Sequence, residues 1–131
     1  MPQEPKRILA VDDNRVILNV VRFTLERAGF AVTVARNGRA AWEILQDQHF
    51  DLVVTDYQMP EMTGEMLCQR MRGVERLKST PVILLSGKGL ELDLARLQEE
   101  LGVSEVIFKP MSTKALVAAA QASLMQSAKA F

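Results

Sequence analysis

Five polar residues occur where short apolar runs of the sequence end. Asp12 and Asp13 follow one run, Asp56 follows a second, Ser86 a third and Lys109 a fourth. If these runs are parallel strands of one sheet, their carboxyl ends share an edge, and open α/β sheets bind their ligands at that edge. The sequence therefore predicts a site at which three carboxylates, one hydroxyl and one ammonium converge.

The three carboxylates favour a site for a hard divalent cation. Carboxylates held together in a half-buried cleft repel one another unless a cation or a retained proton offsets the charge. The predicted site offers oxygen ligands without histidine or cysteine, which selects Mg²⁺ or Mn²⁺ over zinc or copper. Lys109 would add a second positive charge, and its ammonium would need an anionic partner there, either Asp56 or a phosphoryl group on it.

This set of groups indicates phosphoryl transfer to a carboxylate oxygen, with the metal and the lysine stabilising the phosphoryl oxygens. Asp56 is the predicted nucleophile because it follows the central strand alone, whereas the adjacent Asp12 and Asp13 are better placed to hold the metal and its waters. Ser86 would donate to a phosphoryl oxygen. Each residue alone has an ordinary explanation, such as a helix N-cap for either of the paired aspartates. The agreement of four strand ends favours the site.

The apolar pattern predicts the elements that would position these residues. Short β-branched runs alternate with longer stretches of helical period, which is typical of an α/β fold with a parallel sheet and crossover helices. Continuous apolarity places the first, third and fourth runs in the middle of the sheet. The predicted strands cover residues 7–11, 31–35, 51–55, 81–85 and 105–108.

Capping residues and apolar spacing predict the helices. Asn37 with Gly38, Thr63 with Gly64, and Ser112 should begin the second, third and fifth helices. One face of the first helix is expected to pack on the sheet. The fourth helix carries a stripe of leucines, which we attribute to burial in the core and not to a docking surface for a partner. The face comprises Val16, Ile17, Val20, Val21, Thr24 and Ala28, and the stripe comprises Leu90, Leu94, Leu97 and Leu101.

Length and composition predict one domain over residues 1–131, with a core at about 6–126 and short tails. Lysine plus arginine and aspartate plus glutamate number 16 each, so no basic field would draw the chain onto nucleic acid. The single Cys68 is expected to be a buried thiol in a reducing compartment. No apolar run approaches the roughly 20 residues of a membrane span. We therefore expect a cytoplasmic protein that binds neither nucleic acid nor membrane.

Four motifs resemble those of the receiver domain of bacterial response regulators, over about residues 6–126. They are AVDDN, TDYQMPEMTG, LLSG and FKP. The resemblance implies a flavodoxin-like, doubly wound (βα)5 fold with strand order 2-1-3-4-5. It also implies a role in two-component or phosphorelay signalling, with a histidine kinase or a histidine phosphotransfer protein as the phosphodonor. The domain would catalyse its own phosphorylation and dephosphorylation without being a separate enzyme.

Carried onto this sequence, the resemblance implies that Asp56 is the phosphoacceptor. Mg²⁺ would be held by Asp13, Asp56 and the backbone carbonyl of Gln58, with Asp12 acting largely through a bound water. Ser86 and Lys109 would contact the phosphoryl group, and the peptide bond from Lys109 to Pro110 would be cis. Phosphorylation is expected to pull Ser86 and the following loop towards Asp56 and so change the surface formed by the fourth helix and the fifth strand.

The sequence departs from the family at the switch position. Many receivers have a tyrosine or phenylalanine where this chain has Val106, which puts the usual aromatic switch in doubt. Gly87 replaces a common alanine, and a glycine on each side of Lys88 predicts a flexible loop. Gln58 and Lys88 occupy positions that vary within the family and influence how readily water attacks the acyl phosphate.

Two other functions compete with a phosphorylated receiver. A haloacid-dehalogenase-like hydrolase also uses an aspartate nucleophile and Mg²⁺, but it needs a second acid two residues after the nucleophile, where Asn14 or Gln58 lies here. A degenerate receiver that only binds a partner is the alternative that Val106 keeps open. The output partner, or an output domain in a longer polypeptide, is not identified by the sequence.

Overall fold

The computed structural model describes residues 4–87 and 92–129, with side chains as far as residue 126. Strands and helices alternate along these residues, as the apolar pattern predicts. A short 3-10 helix, Glu75–Leu77, precedes the fourth strand. The elements are β1 (Arg7–Val11), α1 (Arg15–Arg27), β2 (Ala31–Ala35), α2 (Gly38–Asp47), β3 (Leu52–Asp56), α3 (Gly64–Arg72), β4 (Val82–Ser86), α4 (Leu94–Leu101), β5 (Val103–Phe108) and α5 (Thr113–Lys129).

The five strands form one parallel sheet in the order β2-β1-β3-β4-β5. The predicted flavodoxin-like fold is therefore confirmed. Successive residues of a strand face opposite sides of the sheet, and both sides are apolar in the central strands. Leu9 and Val53 pack with α2, α3 and α4, whereas Ile8 and Val54 pack with α1 and α5.

The boundaries of three strands differ slightly from the prediction. Strands β3 and β4 begin and end one residue later, and β5 begins two residues earlier, at Val103. Asp56 and Ser86 are consequently the last residues of their strands, because they pair with Leu85 and Phe108. Because Asp56 and Ser86 pair inside the sheet, their backbones are held more firmly than those of loop residues.

The helix starts follow the predicted caps. The side chains of Asn37 and Thr63 accept from the backbone N–H groups of Ala40 and Met66, and Ser112 Oγ accepts from Ala115 N. The cap of α1 is Asn14, whose side chain accepts from two backbone N–H groups. Neither member of the acidic pair that precedes Asn14 is needed as a cap.

The prediction for the first helix was partly wrong. Leu18, Val21 and Leu25 are its buried residues, whereas Val16 and Val20 are 72% and 45% exposed. Positions 18, 21 and 25 form the sheet-facing stripe. The predicted stripe has the same three- and four-residue spacing, so packing on the sheet, and not periodicity, selects the stripe that is buried.

Part of the leucine stripe on α4 is buried as expected. Leu97 and Leu101 lie in the core, Leu94 is 42% exposed, and Leu90 lies outside the described residues. The thiol of Cys68 is buried and free.

Candidate functional site

Three carboxylates meet at the carboxyl ends of β1 and β3. One oxygen from each of Asp12, Asp13 and Asp56 lies within 4.8 Å of the others. Asp12 and Asp56 are buried, and Asp13 is exposed. The backbone N–H of Asn14 donates to Asp12 at 2.9 Å, so the start of α1 orients that carboxylate. The structure thus brings together the three aspartates that the strand ends predict.

Lys109 joins two of these carboxylates. Its Nζ donates to Asp12 Oδ2 and to Asp56 Oδ1, each at 3.0 Å, and its side chain is 17% exposed. The backbone N–H of Lys109 donates to the carbonyl of Ser86 at 2.8 Å, which ties the end of β5 to the end of β4. The following peptide bond, to Pro110, is cis as the resemblance implied.

The electrostatics of the cluster show an excess of negative charge. Burial is the main reason why the pKa of Asp56 is raised; the hydrogen bond from Lys109 opposes the rise, and repulsion from Asp12 adds to it. Burial alone would lower the pKa of Lys109, but its contacts with Asp12 and Asp56 outweigh burial and raise it. One ammonium therefore does not fully offset the buried carboxylates.

The donor set fits a hard divalent cation. All the side-chain ligands are oxygens, and they lie close enough to share one ion. Three carboxylates face one ammonium here, so a cation would offset the remaining negative charge. Gln58, whose carbonyl the resemblance assigns to the metal, is exposed in the loop that follows β3.

Ser86 and Gly87 lie at the end of β4, beside the strand that carries Asp56. Ser86 is buried, and its hydroxyl donates to the carbonyl of Gly87 at 3.4 Å. A Cβ added at position 87 would lie 3.8 Å from Oε1 of Gln58, so the Gln58 side chain borders this glycine. Lys88 and Gly89 lie outside the described residues. The predictions that Lys88 influences attack of water on the acyl phosphate and that its loop is flexible both concern these residues.

The loop after β3 is built around Asp56. Gly64, the first residue of α3, approaches so closely that a Cβ there would collide with the carbonyl oxygen of Asp56. Tyr57 donates its backbone N–H to Leu85 at 2.7 Å and accepts from the N–H of Gly64 at 2.9 Å. Met59 and Met62 are buried and anchor the loop. These contacts hold the end of β3 and the start of α3 as one unit.

Val106 is partly buried and packs with the apolar side chains on the α2, α3 and α4 side of the sheet. No aromatic ring occupies this position. The neighbouring Phe108 is 49% exposed. The switch position therefore lacks the aromatic side chain that many receivers have there.

Residues 8–121 match the family model described as the response regulator receiver domain. The chain belongs to this family. This receiver domain is 35% identical over 112 residues to the two-component response regulator ORR3 of Oryza sativa subsp. japonica, covering 85% of each chain. It is 36% identical over 121 residues to the transcriptional regulatory protein CpxR of Escherichia coli K12, covering 92% of this chain and half of CpxR.

Solved structures agree with this assignment. A response regulator receiver domain protein from Clostridium thermocellum has a TM-score of 0.85 at 27% identity, covering 96% of this chain and 99% of that one. The Vibrio cholerae chemotaxis protein CheY4 has a TM-score of 0.83 at 29% identity, covering 91% and 98%. The receiver domain is thus a component of two-component signalling. Within its described residues, none of the helices combines the length and apolar character that crossing a membrane requires.

Two residues near the site were not singled out from the sequence. Asn14 caps α1 beside the acidic pair, which the pattern Asp-Asp-Asn before a helix could have indicated. Glu65 accepts from the hydroxyl of Tyr57 at 3.3 Å and is bound by Arg96 of α4 at 2.9 Å. No local sequence signal links residues 31 positions apart.

Proposed function

We propose that this receiver domain accepts a phosphoryl group on a carboxylate oxygen of Asp56. The observation that carries the proposal is the placement of Asp56, a buried carboxylate at the end of the central strand, between Lys109 and two further aspartates. The carboxylate forms the new bond to phosphorus while the bond from phosphorus to the donor breaks. With a phosphohistidine donor, the imidazole leaves and keeps its electron pair.

We propose that Asp13, Asp56 and the Gln58 carbonyl hold Mg²⁺, with Mn²⁺ as a substitute and with Asp12 acting through a water. The bound ion would supply positive charge that offsets the carboxylates and the phosphoryl oxygens. Lys109 already lies at 3.0 Å from Asp56 and needs only a small displacement to reach a phosphoryl oxygen attached there. Ser86 would turn its hydroxyl from the Gly87 carbonyl to the phosphoryl group.

The proposal includes self-catalysis, because the residues that would hold the metal ion and contact the transferring phosphoryl group all belong to this chain. Gln58 and Gly87 border the site and would control access of water to the acyl phosphate, together with Lys88. Nothing observed favours the hydrolase. The degenerate receiver is not favoured either, since the three aspartates lie close together and Lys109 contacts two of them.

We propose a histidine kinase or a histidine phosphotransfer protein as the donor, and α1 as its docking site. Val16, Val20 and Phe23 are exposed at helical spacing on this element, and Phe23 is 59% exposed. An exposed apolar stripe of this kind suits a helical partner. The proposed location is cytoplasmic, where the free thiol of Cys68 would remain reduced.

The output is proposed to depend on the surface formed by α4 and β5, where Leu94 and Phe108 are exposed. The partner could be a separate protein or an output domain of a longer polypeptide. CpxR, named a transcriptional regulatory protein, is about twice as long as the region that matches this chain. Residues 1–131 are proposed to form a single receiver domain without direct contacts to nucleic acid or membrane.

Intact-mass spectrometry after incubation with acetyl phosphate tests the phosphoryl transfer. The wild-type protein should gain the mass of one phosphoryl group with Mg²⁺ and much less after chelation. Asp56→Asn should gain none, whereas Asp47→Asn, at an exposed position on α2, should behave as the wild type does. An unchanged mass in the wild type under every condition would leave a binding module without the reaction.

A further inference from the structure

A chain of polar contacts runs from the residue after Asp56 to α4. The hydroxyl of Tyr57 donates to Glu65 Oε1 at 3.3 Å, and Nη2 of Arg96 donates to the same oxygen at 2.9 Å. The Glu65 side chain is only 16% exposed and the Arg96 side chain 38% exposed. This ion pair joins two different helices, unlike the contact between Arg96 and Glu100 at 3.5 Å, which lies within α4.

Glu65 is held in a fixed position relative to Asp56. It follows Gly64, which packs directly on the carbonyl of Asp56 and donates its N–H to the carbonyl of Tyr57. A rearrangement of the backbone at Asp56 must therefore move Tyr57 and the first turn of α3 together. Within this first turn, Glu65 contacts α4 through Arg96.

The two ends of α4 are held differently. At the C-terminal end, Nε of Arg72 donates to the carbonyl of Leu101 at 2.6 Å and Nη2 to that of Gly102 at 3.4 Å. Leu101 is buried at this end and Leu97 in the middle of the helix, whereas Leu94 in the first turn is 42% exposed. The C-terminal end is thus fixed by hydrogen bonds and core packing. The Arg96 side chain, near the start of the helix, ties the more exposed end to α3.

We propose that the contact of Tyr57, Glu65 and Arg96 is a latch that keeps the start of α4 against α3 until Asp56 is phosphorylated. This inference rests on the proposed function of Asp56. Rearrangement around the acyl phosphate moves Tyr57 and Glu65, the ion pair to Arg96 opens, and α4 pivots about its C-terminal end. The latch gives this chain a route from Asp56 to α4 that needs no aromatic side chain at Val106.

Hydrogen exchange of peptides that cover α4 tests the latch, because exchange measures the population of the opened helix. Arg96→Met removes the cation but keeps the backbone N–H that Asp93 caps. In the unphosphorylated protein it should raise exchange in α4 about fivefold, the size of effect expected from losing a partly exposed ion pair between two helices. Glu65→Gln should act in the same direction. Phosphorylation should raise α4 exchange in the wild type and add little in either variant.

Glu100→Gln is the matched control, since it removes the contact within α4 and leaves the contact to Glu65 intact. The latch is wrong if Arg96→Met exchanges as Glu100→Gln does, or if phosphorylation has the same effect on α4 in Arg96→Met as in the wild type. Intact masses of the same samples separate the two proposals. A wild type that gains no phosphoryl group refutes the function of Asp56 and the latch with it, whereas uptake without an α4 response refutes the latch alone.

Discussion

Replacing Asp56 by asparagine should stabilise the metal-free protein at neutral pH. Two contacts compete at this carboxylate: repulsion from Asp12, within 4.8 Å, and attraction to Lys109 at 3.0 Å. At an effective dielectric constant of about 20, the repulsion costs at least about 3.5 kcal/mol and the attraction gains about 5.5 kcal/mol. The exposed Asp13 adds a weaker, solvent-screened repulsion. Before Asp13 is counted, these two terms leave a net attraction of at most about 2 kcal/mol. Burial, the largest cause of the raised pKa of Asp56, outweighs the attraction that remains and decides the sign.

The asparagine side chain would keep an oxygen that accepts from Lys109 while removing the buried charge. We expect Asp56→Asn to raise the free energy of unfolding by about 1–3 kcal/mol, the usual desolvation penalty of an incompletely compensated buried group. Urea denaturation in EDTA at pH 7.5 measures this difference. Asp47→Asn, which replaces an exposed aspartate, should change the free energy by less than about 0.5 kcal/mol.

The pH dependence follows from the raised pKa of Asp56. Between the unfolded and the folded pKa, the folded state binds more protons, so wild-type stability falls as the pH rises through this interval. The variant lacks this loss, and the two proteins should converge on acidification, once Asp56 is protonated in the folded state. Saturating Mg²⁺ should also reduce the gap, because it stabilises the wild type more. A variant that is less stable than the wild type in EDTA at pH 7.5 would refute the reasoning.

Three further predictions concern Lys109, Gly64 and Cys68. Lys109→Met should slow phosphoryl uptake by about 10²- to 10³-fold in time-resolved intact-mass measurements, because it removes a charge aimed at the transferring group; an unchanged rate would exclude that role. Gly64→Ala should cost about 1–3 kcal/mol in urea denaturation through the clash with the Asp56 carbonyl, and Gly73→Ala, where a Cβ meets only ordinary contacts, is its control. The buried Cys68, whose pKa burial raises, should react with a thiol reagent only in proportion to the unfolded population; rapid labelling of the native protein would contradict its burial.

The sheet and the convergence of the aspartates could be predicted because both follow from local patterns. Continuous apolar runs identify the central strands, and the geometry of a parallel sheet then brings their carboxyl ends together. The orientation of α1 was predicted less well, because Val16 and Val20 share helical spacing with buried neighbours yet face outward. Periodicity shows that an apolar stripe exists, but when two stripes overlap only packing decides which one is covered.

Contacts between segments that are distant in the sequence could not be predicted from sequence patterns. Arg96 could pair with Glu100, four residues away on the same helix, and that contact alone would have been expected. Its shorter contact, at 2.9 Å, is with Glu65 on another helix, and it depends on how closely Gly64 brings α3 to the end of β3. The glycine was recognised as a helix start, but its close approach to Asp56 is a property of the assembled fold.

The exposures of the site residues suggest how phosphoryl transfer and signalling are separated in space. Asp12 and Asp56 are buried, whereas Asp13 and Gln58 are exposed, so the exposed pair marks the side open to a donor. Lys109 binds both buried carboxylates from β5, and an acyl phosphate at Asp56 would change both contacts at once. The same carboxylate is therefore linked to β5 through Lys109 and to α4 through the β3–α3 loop, the two elements of the proposed output surface. The proposed donor site, α1, lies on the opposite side of the sheet from α4, so a donor bound there would leave α4 uncovered.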